Sequence, residues 1–289
     1  AIARGVSVDF VAPTLFTFLS SNIDFLPEIA KFRAARRVWA KLMREKYGTK
    51  DPASEKLRIF AFTAGSSLTA QQAMNNVVRT SIEMMSAALG GIQTMHVSAF
   101  DEALGVPSEE AATLALRTQQ VIAFETGVLD SPDPLAGSYE LERMTDELER
   151  EIWDLLAGIE KRGGALECIN NGYFVNEISE NSYKLTMAIE SGARKVVGVN
   201  AFQSESAPIK PFEINPKSES EQVAAVQAVR AKRDNNIVKA ALENLLVVAK
   251  AGDNVVPATV EAIKAYATVG EIVNELRKVY GKWQPTKIF

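Results

Sequence analysis

The sequence predicts an α/β fold in which parallel strands alternate with helices that cross from one strand to the next. Two features lead to this prediction. Short apolar segments alternate with longer segments of helical periodicity through the first 130 residues. The apolar segments are hydrophobic almost throughout, which is typical of strands in a parallel sheet that is covered on both faces or closed into a barrel.

Three strands and three helices are predicted in this first part. Ser67 and Ser108 are suitable N-terminal caps for the second and third helices, and Gly48 and Gly90 end the first and second ones. Because a helix follows each strand, the strands are expected to pair in parallel. The predicted strands are residues 10–19, 57–63 and 94–98, and the predicted helices are residues 24–46, 67–89 and 108–125.

The rest of the chain is predicted to be mostly helical. Three prolines between residues 207 and 218 indicate an extended linker. The chain then divides into three strand–helix units (1–130), a helical extension that packs on them (131–206), and a linker with a helical C-terminal segment (207–289). The predicted helices are residues 140–161, 177–191, 219–250, 257–265 and 269–280, with one short strand at 195–200.

The composition is that of an ordinary soluble globular protein, with 47% hydrophobic and 24% charged residues. A net charge of -4 gives no electrostatic reason to expect binding to nucleic acid or to an anionic membrane. Cys168 is the single cysteine, which excludes an intrachain disulfide and a cysteine-rich metal site, and no metal site is predicted. No apolar run approaches the roughly 20 residues that span a bilayer. The cytoplasm or an organelle matrix is therefore the expected location.

A stripe of basic residues follows the first predicted helix at helical spacing. It could bind a phosphate group, or it could be a solvated helix face. The second interpretation is favoured because Glu28 and Glu45 are interleaved with the basic residues. The stripe consists of Arg33, Arg37, Lys41 and Arg44.

Eight segments carry the most distinctive motifs. They are EIAKFRAARR at 28–37, TAGSSLTAQQ at 63–72, NNVVR at 75–79, LGGIQTMH at 89–96, FDEAL at 100–104, DPLAGSY at 133–139, VGVN at 197–200 and ATVGEI at 267–272. In this order and at this spacing, the chain resembles the methylmalonyl-CoA mutase family over nearly its whole length.

The resemblance implies a (β/α)8 TIM barrel with acyl-CoA along its axis, and a separate domain that carries adenosylcobalamin. This chain would supply the C-terminal portion of the barrel, about three parallel strands with their helices, followed by a mostly helical extension. A barrel of this kind has eight strands. We therefore expect the other five to come from an upstream segment or another chain, and the cobalt ligand to come from a cobalamin-binding domain or small subunit.

The implied activity is an adenosylcobalamin-dependent radical rearrangement of the carbon skeleton of a short branched acyl-CoA. Methylmalonyl-CoA and isobutyryl- or 2-hydroxyisobutyryl-type substrates are candidates. The family resemblance implies no catalytic residue in this segment, and His96 matches a family position other than the active-site histidine. The resemblance does imply cofactor-binding roles for Gly65, Ser98, Glu102 and Ala103, and substrate-binding roles for Thr14, Phe16, Phe62 and Gln93.

Some of these residues have simpler explanations. Glu102 could be a charge near a helix N-terminus, Gln93 a loop-capping side chain, and Gly65 an ordinary turn glycine. The sequence also departs from the family at several of these positions. Thr14-Leu15-Phe16 stands where Arg-Leu-Ser is usual, Phe62 replaces a glutamine, Ser66 a tryptophan and Ser98 an asparagine. These departures leave open a non-catalytic structural subunit of a mutase heterodimer as the alternative.

Overall fold

The computed structural model describes residues 1–205 and 209–284, in two compact units that divide after residue 212. The first unit contains a three-stranded parallel sheet in the order β1, β2, β3. The strands are β1 (Phe16–Ser21), β2 (Arg58–Thr63) and β3 (Thr94–His96). The prediction of an α/β fold with three parallel strands and a helical extension is therefore confirmed.

Seven helices belong to this first unit in the described part of the chain. A short π-helical turn, Leu42–Lys46, extends the second helix. Four further 3-10 turns are Ile2–Arg4, Ala12–Thr14, Gly65–Ser67 and Ala73–Asn75. The helices are α1 (Val8–Val11), α2 (Phe25–Lys41), α3 (Asn76–Leu89), α4 (Glu109–Glu125), α5 (Tyr139–Lys161), α6 (Ala165–Asn170) and α7 (Tyr173–Glu190).

The two faces of the sheet differ in burial. On one face, Ile59 and Ala61 are fully buried against Phe32 of α2 and Ala87 of α3. The alternate residues of the strands point to the opposite face, where Phe16 and Phe18 are about 60% exposed. Phe18 packs against Phe16 and Phe60, with ring centroids 5.3 and 5.1 Å away. One face is thus an ordinary core, and the other carries an aromatic cluster that reaches solvent.

The basic stripe on α2 faces α5, and neither interpretation from the sequence foresaw its ion pairs with that helix. Arg33 binds Asp133, Glu142 and the Thr145 hydroxyl. Further along α2, Arg37 and Lys41 both pair with Glu149 of α5. Acidic residues of α5 therefore neutralise the stripe along this length, although the side chains of Arg37 and Lys41 remain 41% and 44% exposed. Only Arg44 lies outside this interface, where it pairs with Glu55.

The first predicted strand begins too early. Residues 8–14 are helical, and β1 starts at Phe16. The Asp9 carboxylate accepts hydrogen bonds from the hydroxyls of Thr49 and Ser54, and from the backbone N–H of Lys50 and Asp51. These bonds, with that of Thr49 first, lower the pKa of Asp9. They tie this segment to the loop before β2, so it does not join the sheet.

The second predicted helix also begins too early, because α3 starts at Asn76 and not at Ser67. The fully buried Asn76 amide binds both backbone groups of Thr69 and the carbonyl of Phe100. These bonds hold residues 67–75 as a loop against the segment after β3. Within that loop Gln72 has a φ of 48°, which interrupts a regular helix.

Two predictions in the following region are wrong. Residues 195–200 form a tight turn with a single bridge between Val197 and Ala201, not a strand. The Asn200 side chain accepts from the Val196 N–H and donates to the carbonyls of Ile189 and Arg194. The helix predicted at 177–191 starts earlier, as α7, and α6 precedes it. The predicted linker at 207–218 lies partly outside the described residues, and α8 begins within its last residues.

The second unit is helical. A single helix was predicted at 219–250, but Asp234 ends one helix and caps the next by accepting from the N–H groups of Asn236 and Ile237. Leu245 and Ala262 are fully buried in its core. The helices are α8 (Lys217–Lys232), α9 (Asn235–Ala251), α10 (Val255–Lys264) and α11 (Val269–Tyr280).

Arg233 links the start of α9 to the start of α11. Its guanidinium pairs with Glu271 at 2.5 Å and donates to the Tyr266 carbonyl. Glu271 and Thr268 form a capping box at the N-terminus of α11. The bond from Arg233, aided by those from Thr268, lowers the pKa of Glu271 to about 2. None of the helices in the described residues is both long and apolar enough to cross a membrane.

Replacing Arg33 should destabilise the first unit. Arg33→Ala removes bonds from Asp133, Glu142 and the fully buried Thr145. We expect a loss of about 1–2 kcal/mol in the free energy of unfolding, below the ~3–5 typical of a fully buried pair, because both carboxylates are partly exposed. Urea unfolding of the full chain measures it. Arg150→Ala on the outside of α5 is the control, and an equal effect of both changes would contradict the assignment.

The Glu271 interactions should make the second unit acid-sensitive. Because the folded-state pKa is lowered, the stabilisation is present above about pH 4.5 and is lost as the pH falls towards 2. Glu271→Gln should therefore cost about 1.5–3 kcal/mol at pH 7 and little near pH 2. Circular dichroism during urea unfolding at both pH values tests this. Glu261→Gln, in an exposed ion pair with Lys264, is the control and should change little at either pH.

Candidate functional site

Parallel pairing brings the carboxyl ends of the strands to one edge of the sheet. There Phe62 of β2 pairs in register with Ser20 of β1 and His96 of β3. All three side chains point to the face that carries the aromatic cluster. Phe62 and His96 are exposed on it. This edge therefore combines an apolar ring and an imidazole that solvent or a ligand can reach.

Gly65 and Glu102 meet just beyond this edge. Gly65 starts the turn after β2, and Glu102 lies in the loop after β3. A Cβ atom built on Gly65 would collide with Oε1 of Glu102, so only glycine allows the carboxylate to lie here. The Glu102 side chain is exposed and has no hydrogen bond or ion pair to any described residue. An unpaired carboxylate over a glycine turn can accept hydrogen bonds from a ligand that lies against the turn.

The loop that carries Glu102 is held firmly by its neighbours. The buried Asp101 accepts from the Ser108 N–H at 2.9 Å, and its carbonyl accepts from the N–H of Leu104 at 2.8 Å. On the other side, the Asn76 amide donates to the Phe100 carbonyl. The backbone that leads into Glu102 is thus fixed by hydrogen bonds to the two residues before it, Phe100 and Asp101. Ala103 is exposed beside it.

Ser98 is placed differently from the other proposed cofactor contacts. It is 4% exposed, and its hydroxyl lies 3.3 Å from the Thr63 carbonyl, to which it donates. Its N–H donates to the Thr63 hydroxyl at 2.7 Å. The side chain therefore fastens the end of β3 to the end of β2. It lies near the edge but has its hydroxyl directed into the protein.

The remaining predicted residues lie at the opposite edge, where the strands begin. Gln93 accepts from the Ile59 N–H at 2.7 Å and donates to the Gly91 carbonyl at 2.9 Å. Thr14 lies in the turn before β1 and donates to the Val11 carbonyl. Phe16 is the first residue of β1. The eight predicted positions therefore form two groups, one at each end of the strands.

A cationic cavity of about 600 Å³ lies at this amino edge, beside Gln93. Arg36 is half-buried there and donates to the carbonyls of Gly90 and Gly91, and burial lowers its pKa. Lys56 and Arg58 are exposed and have no partner among the described residues. Asp133 and Glu55 also line the cavity, but Arg33 and Arg44 neutralise them. The positive charges of Arg36, Lys56 and Arg58 thus remain available to an anion.

The sequence interpretation missed this cavity, although it had a signal. Lys56 and Arg58 flank the start of an apolar strand, where a charged side chain has no packing role. The interpretation also missed Glu83, which is fully buried on the core face of α3. Burial raises the pKa of Glu83 to about 7, against the lowering effect of its hydrogen bond from Ser67. A glutamate beside the apolar Met84 and Met85 was the available signal.

No cluster of metal ligands is found. Among residues 1–205 and 209–284, no group of three or more His, Cys, Asp or Glu side chains could hold a metal ion.

Comparison with known proteins identifies the family. A family model described as methylmalonyl-CoA mutase matches residues 1–282. The chain is 43% identical over 289 residues to the 2-hydroxyisobutanoyl-CoA mutase large subunit of Aquincola tertiaricarbonis, covering 99% of this chain and 51% of that protein. It is 40% identical over 284 residues to the methylmalonyl-CoA mutase of Cereibacter sphaeroides, covering 98% of this chain and 40% of that protein.

The mitochondrial methylmalonyl-CoA mutase of Mus musculus is 36% identical over 285 residues, covering 97% of this chain and 38% of that protein. The chain thus spans about half the length, or less, of the curated relatives it matches. Its three parallel strands, helical extension and motif order agree with a part of such proteins. The match extends over nearly all of the sequence, and the chain belongs to the methylmalonyl-CoA mutase family.

Proposed function

We propose that this chain is part of an adenosylcobalamin-dependent acyl-CoA mutase that rearranges the carbon skeleton of a short branched acyl-CoA. The observation that carries the proposal is the unpaired Glu102 carboxylate over Gly65, at the carboxyl edge of a parallel sheet. Ligands of barrel enzymes bind at this edge. The family relatives, which are named as mutases of acyl-CoA, supply the reaction class.

The residues at the carboxyl edge fit a nucleoside cofactor. When bound, adenosylcobalamin supplies the radical that starts the rearrangement. Gly65 has no side chain, so the Glu102 carboxylate can lie against the turn, where it can accept hydrogen bonds from two neighbouring ribose hydroxyls. Ala103, beside Glu102, adds a small apolar surface. Ser98 would act indirectly, by fastening β3 to β2 below the site.

The cavity at the amino edge fits the phosphate groups of coenzyme A. Arg58 and Lys56 offer charges with no other partner in the described residues, and Arg36 adds a third. A strand of five or six residues is about 17–20 Å long. A substrate with phosphates at one edge and a thioester at the other would therefore run along the sheet face between the two groups of residues.

On the sheet face, the smaller side chains of β3 leave more room for a ligand than those of β1 and β2. Phe16, Phe18 and Phe60 fill the side above β1 and β2 with packed rings. Thr94 and His96 of β3 are exposed on the same face and are smaller. The pantetheine chain would lie over β3, with Phe62 as an apolar wall beside the acyl group. Such a wall helps to exclude water from a reactive intermediate.

The chain would need partners to form the complete enzyme. The three strands form one side of a barrel, so an upstream half-barrel, in the same or another chain, must supply the other strands. A cobalamin-binding domain or small subunit must supply the cobalt ligand. The native mass of the purified protein, with an absorbance scan of the same peak, tests this. Association with a partner of half-barrel size and corrinoid in the peak supports it, and a colourless lone monomer contradicts it.

A second candidate is a non-catalytic subunit that stabilises a mutase heterodimer. The observation that favours it is the aromatic cluster, because bulky rings occupy part of the face where a substrate chain would run. Ser98 also has its hydroxyl turned away from the site. The first candidate is favoured because of Glu102 at the carboxyl edge. A carboxylate with a structural role would have a hydrogen-bond or ion-pair partner, and Glu102 has none among the described residues.

Removing the negative charge of Glu102 should impair turnover. In the assembled mutase, Glu102→Gln loses charge-assisted hydrogen bonds of about 1.5–3 kcal/mol, so we expect about a tenfold to hundredfold loss of kcat/KM. Steady-state kinetics with several short branched acyl-CoA substrates measures it, with Glu110→Gln on α4 as the control. Unchanged turnover in the Glu102 variant would favour the non-catalytic subunit.

Replacing Arg58 should weaken substrate binding selectively. Arg58→Met keeps the length of the side chain and removes its charge, so KM for acyl-CoA should rise about tenfold while kcat changes little. The same acyl group on pantetheine, which lacks the nucleotide phosphates, is the control substrate. Its KM should not respond to the change. An equal rise in KM for both substrates would show that Arg58 does not recognise phosphate.

A further inference from the structure

Glu83 lies directly below the turn that begins at Gly65. The residue is fully buried, and its Oε1 accepts a hydrogen bond from the Ser67 hydroxyl. Its second oxygen, Oε2, is buried and has no partner. Burying a charged carboxylate with one oxygen left unsatisfied is costly, and burying the neutral acid costs less.

A set of short hydrogen bonds connects Glu83 to the strand ends. The Glu83 carbonyl accepts from the hydroxyls of Ser21 and Ser86, at 2.7 and 2.8 Å. Ser21 is the last residue of β1, and its own carbonyl accepts from the Ala64 N–H at 2.9 Å. The Ser67 hydroxyl lies within hydrogen-bond distance of the Ala64 carbonyl, at 2.8 Å, as well as of Glu83, and it donates its single hydrogen to one of them at a time. The Gly65–Ser67 turn is therefore held from below by α3 and from the side by β1.

Few charges act on Glu83. From α2, Glu28 is nearby and favours the protonated form, and Glu28 itself is paired with Lys31. From α3, Arg79 lies one turn earlier and weakly favours the ionised form. The end of β1 and the turn after β2 contribute serine hydroxyls and backbone groups. Burial is the largest influence, and it raises the pKa of Glu83 to about 7.

We propose that Glu83 is a positioning residue, which in its neutral form holds the Gly65–Ser67 turn in place under the carboxyl-edge site. The turn has no side chain of its own at Gly65 to fix it against Glu102. A shift of about 1 Å in such a surface is enough to reduce catalysis strongly. The role of the turn in binding a cofactor rests on the proposed function, but its support by Glu83 does not.

The stability of the Gly65–Ser67 turn should depend on pH, because Glu83 has a different pKa when the turn is closed and when it is open. With the turn closed the pKa is about 7, and with the turn opened to water it returns towards 4.5. Stability of the closed turn is therefore fully present below about pH 4.5 and is lost as the pH rises to 7. Above pH 7 the buried carboxylate is ionised, and the turn opens more often.

Hydrogen exchange of the full chain tests the support directly, without any need for activity. We compare amides 64–68 at pH 5 and pH 8, corrected for intrinsic exchange, in the wild type, Glu83→Gln, Ser67→Ala and an exposed control, Glu151→Gln. The wild type and the control should lose protection about tenfold or more between the two pH values. Glu83→Gln, which keeps an acceptor for Ser67 but cannot ionise, should keep its protection. In Ser67→Ala these amides should be poorly protected at both pH values.

A titration of the assembled mutase with adenosylcobalamin, followed by absorbance, tests the link to the site. Wild-type affinity should fall from pH 6 to pH 8, and Glu83→Gln should remove that fall. If Glu83→Gln exchanges with the same pH dependence as the wild type, the proposal is overturned. Hydrogen exchange could behave as expected while neither the wild type nor the variants bind adenosylcobalamin. In that case the proposed function fails, but the support of the turn by Glu83 remains.

Discussion

Parallel pairing of β1, β2 and β3 is the constraint on which the rest of the structure depends. Because all three strands run the same way, their carboxyl ends share one edge and their amino ends the other. The unpaired carboxylate of Glu102 therefore lies at one end of the sheet, and the cations of Lys56 and Arg58 at the opposite end. An antiparallel sheet would have mixed these charges at both edges. The separation of opposite charges thus follows from strand direction, together with the positions of Lys56 and Arg58 near the start of β2 and of Glu102 after β3.

The helices that cover the sheet use polar groups to fix positions, not only apolar burial. Along α2 and α5, Arg33 and Glu149 hold two amphipathic helices in one register through several partners each. Asn76 does the same for the loops after β2 and β3. Apolar contacts alone would allow the packed helices and loops to slide past one another, whereas hydrogen bonds with defined directions do not. The loops that carry Gly65 and Glu102 are accordingly positioned by groups buried beneath them.

The sequence predicted those features that depend on local patterns. Hydrophobic runs identified three parallel strands, and capping residues such as Ser108 located α4. The sequence did not predict the features that depend on contacts between residues far apart in the chain. Asp9 is bound by Thr49 and Ser54, about 40 residues away, which no local pattern reveals. The ion pairs between the stripe and α5 were not foreseen because Glu142 and Glu149, the partners of Arg33 and Lys41, lie more than 100 residues later. Family resemblance named Gly65 and Glu102, but only the fold brings them into contact, and only burial distinguishes Ser98 from them.

The aromatic cluster and the carboxyl edge bear on different parts of the proposed reaction, so they need not conflict. Phe16, Phe18 and Phe60 occupy the amino half of the face above β1 and β2, away from Gly65 and Glu102. In the proposed function they would limit the width available to a substrate chain and direct it towards Thr94 and His96. They do not alter hydrogen bonding at Glu102. A barrel completed by other strands could thus be narrow along its length and still bind a cofactor through Glu102 at its mouth. Substrate selection by width and cofactor binding by Glu102 would then be separable properties of one chain.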